Sequence, residues 1–252
     1  MGNADMTTDN TPRIALVTGA AGGMGAAISQ ALVQCGHRVI LADRNAEALG
    51  KLGAELGDAC FALGLDITDK AAVDGIIDNL PPHWRHIDIL VNNAGHDIGG
   101  RIRFDLGSAD DWSAIIETNL IGLMRVTRAI LPAMVRRDTG DIINMSSISA
   151  LRIVPDMAAY TTSKVGVRAF TDVLRGELAE TGIRVTEILP GLTRTGIIRT
   201  RYRGDTVKEK EYFDTFKMAL APDDVARCVS FALAQPRSVQ IAQLVVLPVN
   251  RW

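Results

Sequence analysis

The sequence has few of the features that mark specialised classes of protein. Its 252 residues include only 5% aromatic residues and three cysteines, Cys35, Cys60 and Cys228, which are isolated and form no CxxC pair. This cysteine usage predicts neither a disulfide framework nor a zinc site, and it favours a reducing cytosol. No segment approaches the roughly 18 consecutive apolar residues of a membrane span. Residues 1–11 lack the basic and apolar regions of a secretory signal, so we interpret them as a flexible tail.

The sequence also lacks an excess of charge of either sign. It has 29 acidic residues against 27 Lys and Arg, a net charge of −2, which predicts no binding surface for nucleic acid or anionic membrane. The histidines show no metal-ligand grouping; they are His37, His83, His86 and His96. With 47% hydrophobic and 22% charged residues, the composition is that of a globular protein with a sizeable core. We therefore expect a small-molecule ligand and no bound metal.

What the sequence does contain is a regular alternation of short apolar runs and helical patterns. The runs are rich in Val, Ile and Leu and are apolar on both faces, as buried parallel strands require. They span residues 13–18, 38–42, 60–65, 87–91, 141–145, 183–189 and 243–247. With no linker between them, they predict one doubly wound α/β domain over residues 12–252, with a seven-stranded parallel sheet. The irregular, Arg- and Lys-rich stretch 192–217 interrupts this order and is predicted to form a mobile lid.

A glycine-rich turn follows the first predicted strand. Residues 18–25 read Thr-Gly-Ala-Ala-Gly-Gly-Met-Gly, and a helical pattern begins at Ala26. Glycines let the backbone turn tightly and bring its N–H groups against a diphosphate, at the positive end of the helix dipole. A structural turn explains an isolated motif of this kind about as often. Its place between the first strand and the first helix favours dinucleotide binding.

Asp43 ends the second predicted strand, 18 residues after the last glycine of that turn. A carboxylate there can accept hydrogen bonds from both hydroxyls of an adenosine ribose, and it would repel the extra phosphate of NADP. The alternative is that Asp43 caps the helix expected to begin near Asn45. Arg44 could hold a 2′-phosphate, but residues 20–21 of the turn offer no basic side chain. NAD is therefore the predicted cofactor.

Further motifs follow at regular points, and together with the glycine-rich turn they resemble one family. They are Asp66 after the third strand, Asn92-Asn93-Ala94-Gly95 after the fourth, Asn119, Ser147, Tyr160-Thr161-Thr162-Ser163-Lys164, and Pro190-Gly191 after the sixth. The order and spacing of these motifs resemble those of the short-chain dehydrogenase/reductase family, and the resemblance covers about two hundred residues of the chain. Segments 87–95, 183–192, 201–205 and 219–225 are similar to its branch of serine and 3-hydroxy acid dehydrogenases. This resemblance implies a Rossmann-type fold and hydride transfer between an alcohol and a nicotinamide.

Tyr160 and Lys164 form the pair from which the chemistry can be argued directly. Their i, i+4 spacing places both side chains on one face of a helix. An ammonium so close is expected to lower the pKa of the phenol, which is about 10 in peptides, by about 1 to 3 and so make it a general acid/base. A surface Tyr beside a solvated Lys is the usual explanation of an isolated pair, and the accompanying motifs outweigh it here.

The resemblance also implies roles for the remaining positions. Ser147, which lies 13 residues before Tyr160, would orient the substrate oxygen, and Ser146 is one position early. Asn119 would hold a water that connects Lys164 to solvent; a buried Asn paired with a backbone carbonyl is the alternative. Cofactor contacts are implied at Gly19, Gly23, Met24, Gly25, Asp43, Asp66, Ile67, Asn93, Ala94, Gly95, Tyr160, Lys164, Pro190, Gly191, Thr193 and Thr195. Which of the two threonines serves the nicotinamide stays open.

Seven arginines surround the expected mouth of the active site. They are Arg101, Arg103, Arg152, Arg194, Arg199, Arg201 and Arg203. A guanidinium suits a carboxylate, sulfonate or phosphate, because its planar fork donates two parallel hydrogen bonds. We therefore expect a small anionic or strongly polar alcohol as substrate. Arg201 is the first candidate to bind it, since it falls in a segment similar to the hydroxy acid branch, although any single arginine is more simply a solvated surface residue.

The sequence departs from that branch in two places. The hydroxy acid dehydrogenases of the branch are NADP enzymes with Gly-Arg in place of Asp43-Arg44, and the segment after Pro190-Gly191 is changed and about one residue shorter. An NADPH-dependent carbonyl reductase and a non-catalytic NAD-binding sensor are therefore the alternatives to an NAD-dependent dehydrogenase.

The sequence also predicts a homotetramer. The helix predicted at 111–134 has apolar residues on more than one face, and Gly166 and Ala169 permit close approach of a second helix.

Overall fold

The predicted parallel sheet is present and has seven strands. The structure, a computed structural model, describes residues 12–216 and 218–249; the tail predicted at residues 1–11, and Lys217, lie outside the described residues. The strands are β1 Ile14–Thr18, β2 Arg38–Asp43, β3 Cys60–Gly64, β4 Ile89–Asn92, β5 Gly140–Met145, β6 Ile183–Pro190 and β7 Gln243–Val246. They pair in the order β3-β2-β1-β4-β5-β6-β7, and all pairs are parallel. The predicted strands are confirmed, with ends that differ from the expected bounds by at most two residues.

Helices cover both faces of this sheet. They are α1 Gly23–Gln34, α2 Ala46–Leu56, α3 Lys70–Asp74, α4 Ala109–Ile116, α5 Leu123–Arg137, α6 Ala158–Glu177, α7 Ile197–Arg201, α8 Thr206–Asp214 and α9 Pro222–Leu233. Helices α1, α2 and α9 pack on one face around Ile28 and Val229. Helices α3, α5 and α6 pack on the other around Val126 and Leu174. Because both faces are buried, the strands appear in the sequence as continuous apolar runs. No helix among the described residues is both long and apolar enough to cross a membrane.

The long helix predicted at 111–134 is present, but it is not an α-helix throughout. A π-helical segment, Glu117–Gly122, lies between α4 and α5 and contains the fully buried Asn119. Such wide turns occur mostly at functional sites. Gly122 permits the close packing of this segment, since a Cβ there would lie 2.8 Å from the side chain of Ile67. The sequence pattern does not reveal the interruption, because the apolar residues continue through it.

The strand order fixes where a ligand can bind. Strand β1 pairs with β2 on one side and with β4 on the other, so the order of the strands reverses between β1 and β4. In doubly wound sheets, ligands bind beyond the carboxyl ends of the strands at this switch point. The glycine-rich turn follows β1 there, the segment 93–95 follows β4, and Ser147 follows β5.

The stretch predicted as a lid contains the two short helices α7 and α8, and the end of α7 and the turn after it contact residues 100–111, which follow β4. The backbone N–H of Gly100 donates to the carbonyl oxygen of Arg201 at 2.9 Å. Arg203 donates to Asp111 at 2.7 Å. These contacts hold the stretch over the carboxyl ends of the strands, next to the motifs identified in the sequence.

Candidate active site

The glycine-rich turn is packed directly against the segment after β4. Gly19 has a φ of +66°, and a Cβ there would lie 2.8 Å from Cα of Ala94. A Cβ on Gly25 would lie 2.0 Å from the carbonyl oxygen of Gly19. The Nδ2 of Asn93 donates to the carbonyl oxygens of Thr18 and Gly19, at 3.0 and 3.1 Å. These two glycines are therefore required by backbone packing, and Asn93 holds the turn in place.

A cavity of about 120 Å³ lies on one side of this turn. Its lining residues are Gly19, Asp43, Arg44, Leu65, Asp66, Ile67, Ala94, Gly95, His96 and Thr118. The structure thus brings together six of the positions expected to contact the adenosine half of a dinucleotide. Asp66 is held by the backbone N–H and the hydroxyl of Thr68, at 2.9 and 2.7 Å, and these hydrogen bonds lower the pKa of its carboxyl group.

Asp43 lies at the rim of this cavity and does not cap α2. Its Oδ2 accepts from the backbone N–H of Ala21 in the glycine-rich turn at 3.1 Å, and its Oδ1 accepts from that of Asn45 at 2.9 Å. The N-cap of α2 is Asn45, whose side chain accepts from the N–H of Ala48. The capping role considered for Asp43 therefore belongs to Asn45. Arg44 lines the same cavity, so charges of both signs stand at its rim.

Ser147, Tyr160 and Lys164 meet between β5 and α6. Ser147 and Tyr160 line the same cavity, and the Ser147 hydroxyl acts to lower the pKa of Tyr160. The Nζ of Lys164 donates to the carbonyl oxygen of Met145 at 2.9 Å and lies 5.9 Å from the ring centroid of Tyr160. Ser146 instead donates to the backbone carbonyl of Lys164 at 3.2 Å. Ser147, and not Ser146, is therefore the serine beside the phenol.

The pKa values of the Tyr-Lys pair differ from the expectation. Burial raises the pKa of Tyr160, and the hydrogen bond from Ser147 only partly opposes this. Burial lowers the pKa of Lys164 to about 8. The lowering of the Tyr160 pKa by Lys164 that the spacing predicts is not found. The reason is that the phenol is desolvated, while the amine donates to Met145 and lies 5.9 Å from the ring centroid.

Glu187 is a member of this site that the sequence analysis missed. It lies fully buried in β6, where its Oε2 accepts from Nε2 of Gln243 at 2.6 Å. Its Oε1 has no hydrogen-bond partner among the described residues. Its charge raises the pKa of Lys164 and so opposes the effect of burial. Glu187 is the one acid in the predicted strand 183–189. Acidic residues are rarely buried without a partner, so its position in that strand could have identified it as a functional residue.

Asn119 joins the segment after β4 to α6. Its Oδ1 accepts from the backbone N–H of His96 at 2.8 Å, and its Nδ2 donates to the carbonyl oxygen of His96 and to Oγ of Ser163, at 2.9 and 3.1 Å. The pairing with a backbone carbonyl that was the alternative role is therefore present. A Cβ on Gly95 would lie 3.0 Å from Oδ1 of Asn119 and 3.6 Å from Nζ of Lys164. Gly95 thus permits both side chains to approach.

A larger cavity of about 500 Å³ opens beside Tyr160, on the other side of the glycine-rich turn. Its lining includes Met24, Ser147, Tyr160, Pro190, Gly191, Thr193 and Thr195, together with Arg101, Arg152, Arg201 and Tyr212. Both threonines reach it, although the hydroxyl of Thr193 already donates to the carbonyl oxygen of Gly191 at 3.1 Å. Two cavities on either side of one glycine-rich turn fit an elongated ligand whose diphosphate crosses the turn, as in a nicotinamide dinucleotide.

Three of the seven expected arginines line the larger cavity: Arg101, Arg152 and Arg201. The others are engaged elsewhere: Arg103 with Asp105, Arg199 with Glu209, Arg203 with Asp111, and Arg194 over the ring of Phe213. Arg201 is buried, and its Nε donates to Oδ2 of Asp97 at 2.6 Å. Asp97 was not identified from the sequence, because an aspartate in a loop is ordinarily solvated.

Comparison with known proteins agrees with this geometry. The model of the family described as short chain dehydrogenase matches residues 13–205. The NADP-dependent 3-hydroxy acid dehydrogenase YdfG of Escherichia coli is 40% identical over 240 residues, which cover 94% of this chain and 96% of that protein. A probable NADP-dependent dehydrogenase of Haemophilus influenzae is 37% identical over 237 residues, 93% of this chain and 92% of that protein.

Solved structures give the same result. The closed form of serine dehydrogenase complexed with NADP+ has a TM-score of 0.92 and 39% identity, and the match covers 95% of this chain and 96% of that one. NAD+-bound xylitol dehydrogenase has a TM-score of 0.82 and 26% identity, with 95% and 98% covered. The resemblance inferred from the motifs, including the serine and 3-hydroxy acid dehydrogenase branch, is confirmed.

Proposed function

The chain belongs to the short-chain dehydrogenase/reductase family and is an oxidoreductase acting on CH–OH donors, and on that basis we propose that it oxidises a small polar, anionic alcohol, such as a hydroxy acid, with NAD. The observation that carries this proposal is the meeting of Ser147, Tyr160 and Lys164 at a cavity lined by three arginines. A non-catalytic NAD-binding sensor has no physical need for this cluster.

In the proposed reaction, Tyr160 accepts the hydroxyl proton of the alcohol through its phenolic oxygen. Ser147, which lines the same cavity, holds the reacting oxygen of the substrate. Lys164 binds the nicotinamide-side ribose with its charged amine, and Ser147 favours the phenolate. Asn119 supports the connection of Lys164 to solvent through the π-helical segment. The nicotinamide, when bound, accepts the hydride and adds a positive charge that also favours the phenolate.

The preference for NAD rests on Asp43. Its carboxylate stands at the rim of the smaller cavity, and each of its oxygens accepts one backbone N–H, which leaves lone pairs for the ribose hydroxyls. A 2′-phosphate at the same place would meet a negative charge. An NADPH-dependent carbonyl reductase is the second candidate, because Arg44 lines the same cavity and the named relatives of Escherichia coli and Haemophilus influenzae are described as NADP-dependent.

The substrate class is supported by the relatives and by the cavity. The names of those relatives specify 3-hydroxy acids and serine as substrates. In this chain Arg101, Arg152 and Arg201 line the cavity beside Tyr160, and guanidinium groups suit anionic or strongly polar substituents. A short alcohol with such a substituent is therefore the proposed substrate. We further propose that residues 192–217 act as a mobile lid that admits it.

The experiment is a spectrophotometric screen for NADH or NADPH formation, with NAD and NADP run in parallel. Short hydroxy acids, amino alcohols, sulfonated alcohols and sugar alcohols form the panel, and cyclic and aromatic alcohols serve as controls. The highest kcat/KM is expected for an anionic or strongly polar alcohol with NAD. A best substrate that is apolar and uncharged would contradict the proposal.

A homotetramer in the cytoplasm completes the proposal. Helices α5 and α6 expose Met124, Val135, Val165 and Val173, which are 39%, 44%, 38% and 58% accessible. Exposed apolar residues on neighbouring helices suit an interface between copies of the chain. Gly166 does not contribute to that argument, because a Cβ there would lie 2.7 Å from Leu120 of the same chain. Its small size serves packing within the subunit.

A further inference from the structure

Arg201 enters the larger cavity as half of a buried ion pair. Its Nε lies 2.6 Å from Oδ2 of Asp97, and the two side chains are only 4% and 5% exposed. Arg101 provides a contrast in the same cavity, since it lies 3.9 Å from Asp156 and these two side chains are 38% and 45% exposed. Water and salt screen an exposed pair, whereas the charges of a buried pair act strongly on each other. Asp97 therefore offsets the charge of Arg201 far more than Asp156 offsets that of Arg101.

The same contacts fix the orientation of the Arg201 guanidinium. The central carbon of this guanidinium lies 5.1 Å from the centre of the Tyr212 ring. The backbone carbonyl oxygen of Arg201 accepts from the N–H of Gly100 at 2.9 Å. Its Nη1 is buried and has no hydrogen-bond partner among the described residues. A buried donor without a partner is costly and uncommon in folded proteins. Asp97 and Tyr212 thus hold the guanidinium in the wall of the cavity that Arg201 lines.

We propose that Asp97 determines the charge selectivity of the substrate cavity: it offsets the positive charge of Arg201 and holds the guanidinium in one orientation in the cavity wall. The inference deepens the proposed function and rests on it, because it concerns the same cavity and the same alcohols. Arg201 then lines the cavity as a polar group with little net charge. The cavity accepts short diols and hydroxy-carbonyl compounds beside hydroxy acids, and the net charge that favours an anion comes from the other arginines.

The test compares one anionic and one neutral alcohol on wild type and on Asp97→Asn. Asparagine keeps the size of the side chain and an oxygen for Nε of Arg201, and it removes only the charge. The probes are 3-hydroxybutyrate and 1,3-butanediol. The first carries a carboxylate where the second carries a hydroxymethyl group. The readout is the ratio of kcat/KM for the anion to that for the diol, or of their competitive inhibition constants where turnover is slow. A ratio is used because the charge of Asp97 also acts on Tyr160, and that effect is common to both probes.

Asp97→Asn is expected to raise the preference for the anion by about tenfold or more, since it exposes the substrate to an unopposed buried charge. Asp156→Asn is the matched control and should change the ratio by less than about twofold. Arg201→Gln leaves Asp97 unopposed and should lower the ratio by about tenfold, which keeps the proposal testable if Asp97→Asn folds poorly. Unchanged ratios in the folded variants at positions 97 and 201 would overturn it.

The two claims fail separately. If wild type prefers the hydroxy acid and neither variant changes the ratio, the role of Asp97 is wrong and the proposed substrate class stands. If the best substrate of wild type is apolar, the substrate class is wrong. The ratio of the inhibition constants of the two probes then still decides whether Asp97 opposes the charge of Arg201.

Discussion

The amine of Lys164 is held by the carbonyl oxygen of Met145, 2.9 Å away at the carboxyl end of β5. With this contact, Nζ lies 5.9 Å from the centroid of the Tyr160 ring. Burial lowers the pKa of Lys164 to about 8, and the charge of Glu187 acts in the opposite direction. The lysine therefore carries its charge below about pH 8 in the free protein and loses it as the pH rises through that value.

This titration predicts the pH dependence of the free enzyme. The kcat/KM for NAD should fall as the pH rises through about 8, because Lys164 must be charged to bind the ribose in the proposed mechanism. Glu187→Gln removes the charge that raises the Lys164 pKa, so the fall should move to lower pH. The measurement is a pH profile of kcat/KM. Glu177→Gln, at an exposed acid of α6, is the control; a Glu187→Gln profile that overlays that of wild type would disprove the coupling.

Asp141 carries a stability prediction at the opposite end of the sheet. This carboxylate is 3% exposed and pairs with Arg13, Arg184 and Arg237 at 2.5, 2.6 and 2.8 Å. Asp141→Asn removes the one negative charge among three guanidinium groups, so it should lower the free energy of unfolding by about 3 to 5 kcal/mol. Denaturant titration measures the loss. Asp172→Asn, at the more exposed pair with Arg175, should cost at most about 1 kcal/mol, and equal losses would contradict the account.

Asp43 predicts the ratio of the two cofactors. Its charge at the ribose end of the smaller cavity should favour NAD over NADP by roughly fivefold to several-hundredfold in kcat/KM. Asp43→Asn should reduce this ratio, chiefly by improving kcat/KM with NADP. Asp58→Asn, at an exposed carboxylate, should leave it unchanged. If wild type uses NADP as well as NAD or better, Arg44 and not Asp43 governs the choice.

The exposed apolar residues of α5 and α6 predict the assembly. Light scattering at micromolar concentration should give a mass four times that of the 27.1 kDa chain. Val173→Glu places a charge on the proposed interface and should dissociate the tetramer, because an unpaired charge would be buried there. Val207→Glu, at a residue of α8 that is 65% exposed, should not. A monomeric wild type would contradict the prediction.

The sequence predicts the fold well because the features that determine it are local. Strands buried on both faces appear as apolar runs, and the turn at residues 18–25 contains the glycines that its packing requires. The π-helical segment around Asn119 was missed, since a wide turn has no apolar period of its own. Local sequence patterns therefore did not predict this segment.

The candidate site was predicted only where its members share a local motif. Tyr160 and Lys164 lie one helical turn apart, so their association follows from spacing. Asp97 and Arg201 are 104 residues apart, and Glu187 acts on Lys164 from a different element. Spacing cannot reveal such pairs, which exist only once the sheet has brought the ends of its strands together. The pKa of Tyr160 was predicted in the wrong direction for the same reason, because groups that act on the phenol, such as Ser147 and Asp97, belong to other parts of the chain.

The most direct test of the active site is the rate of NADH formation by Tyr160→Phe with the best alcohol found in the screen. The substitution removes one hydroxyl that is needed for proton transfer, and losing a positioned acid/base typically costs about 10² to 10⁴ in rate. We expect kcat to fall by at least that range, while NADH binding, followed by fluorescence, stays within about threefold of wild type. A variant that retains a near wild-type kcat would show that Tyr160 is not the general acid/base, and the proposed mechanism would be wrong.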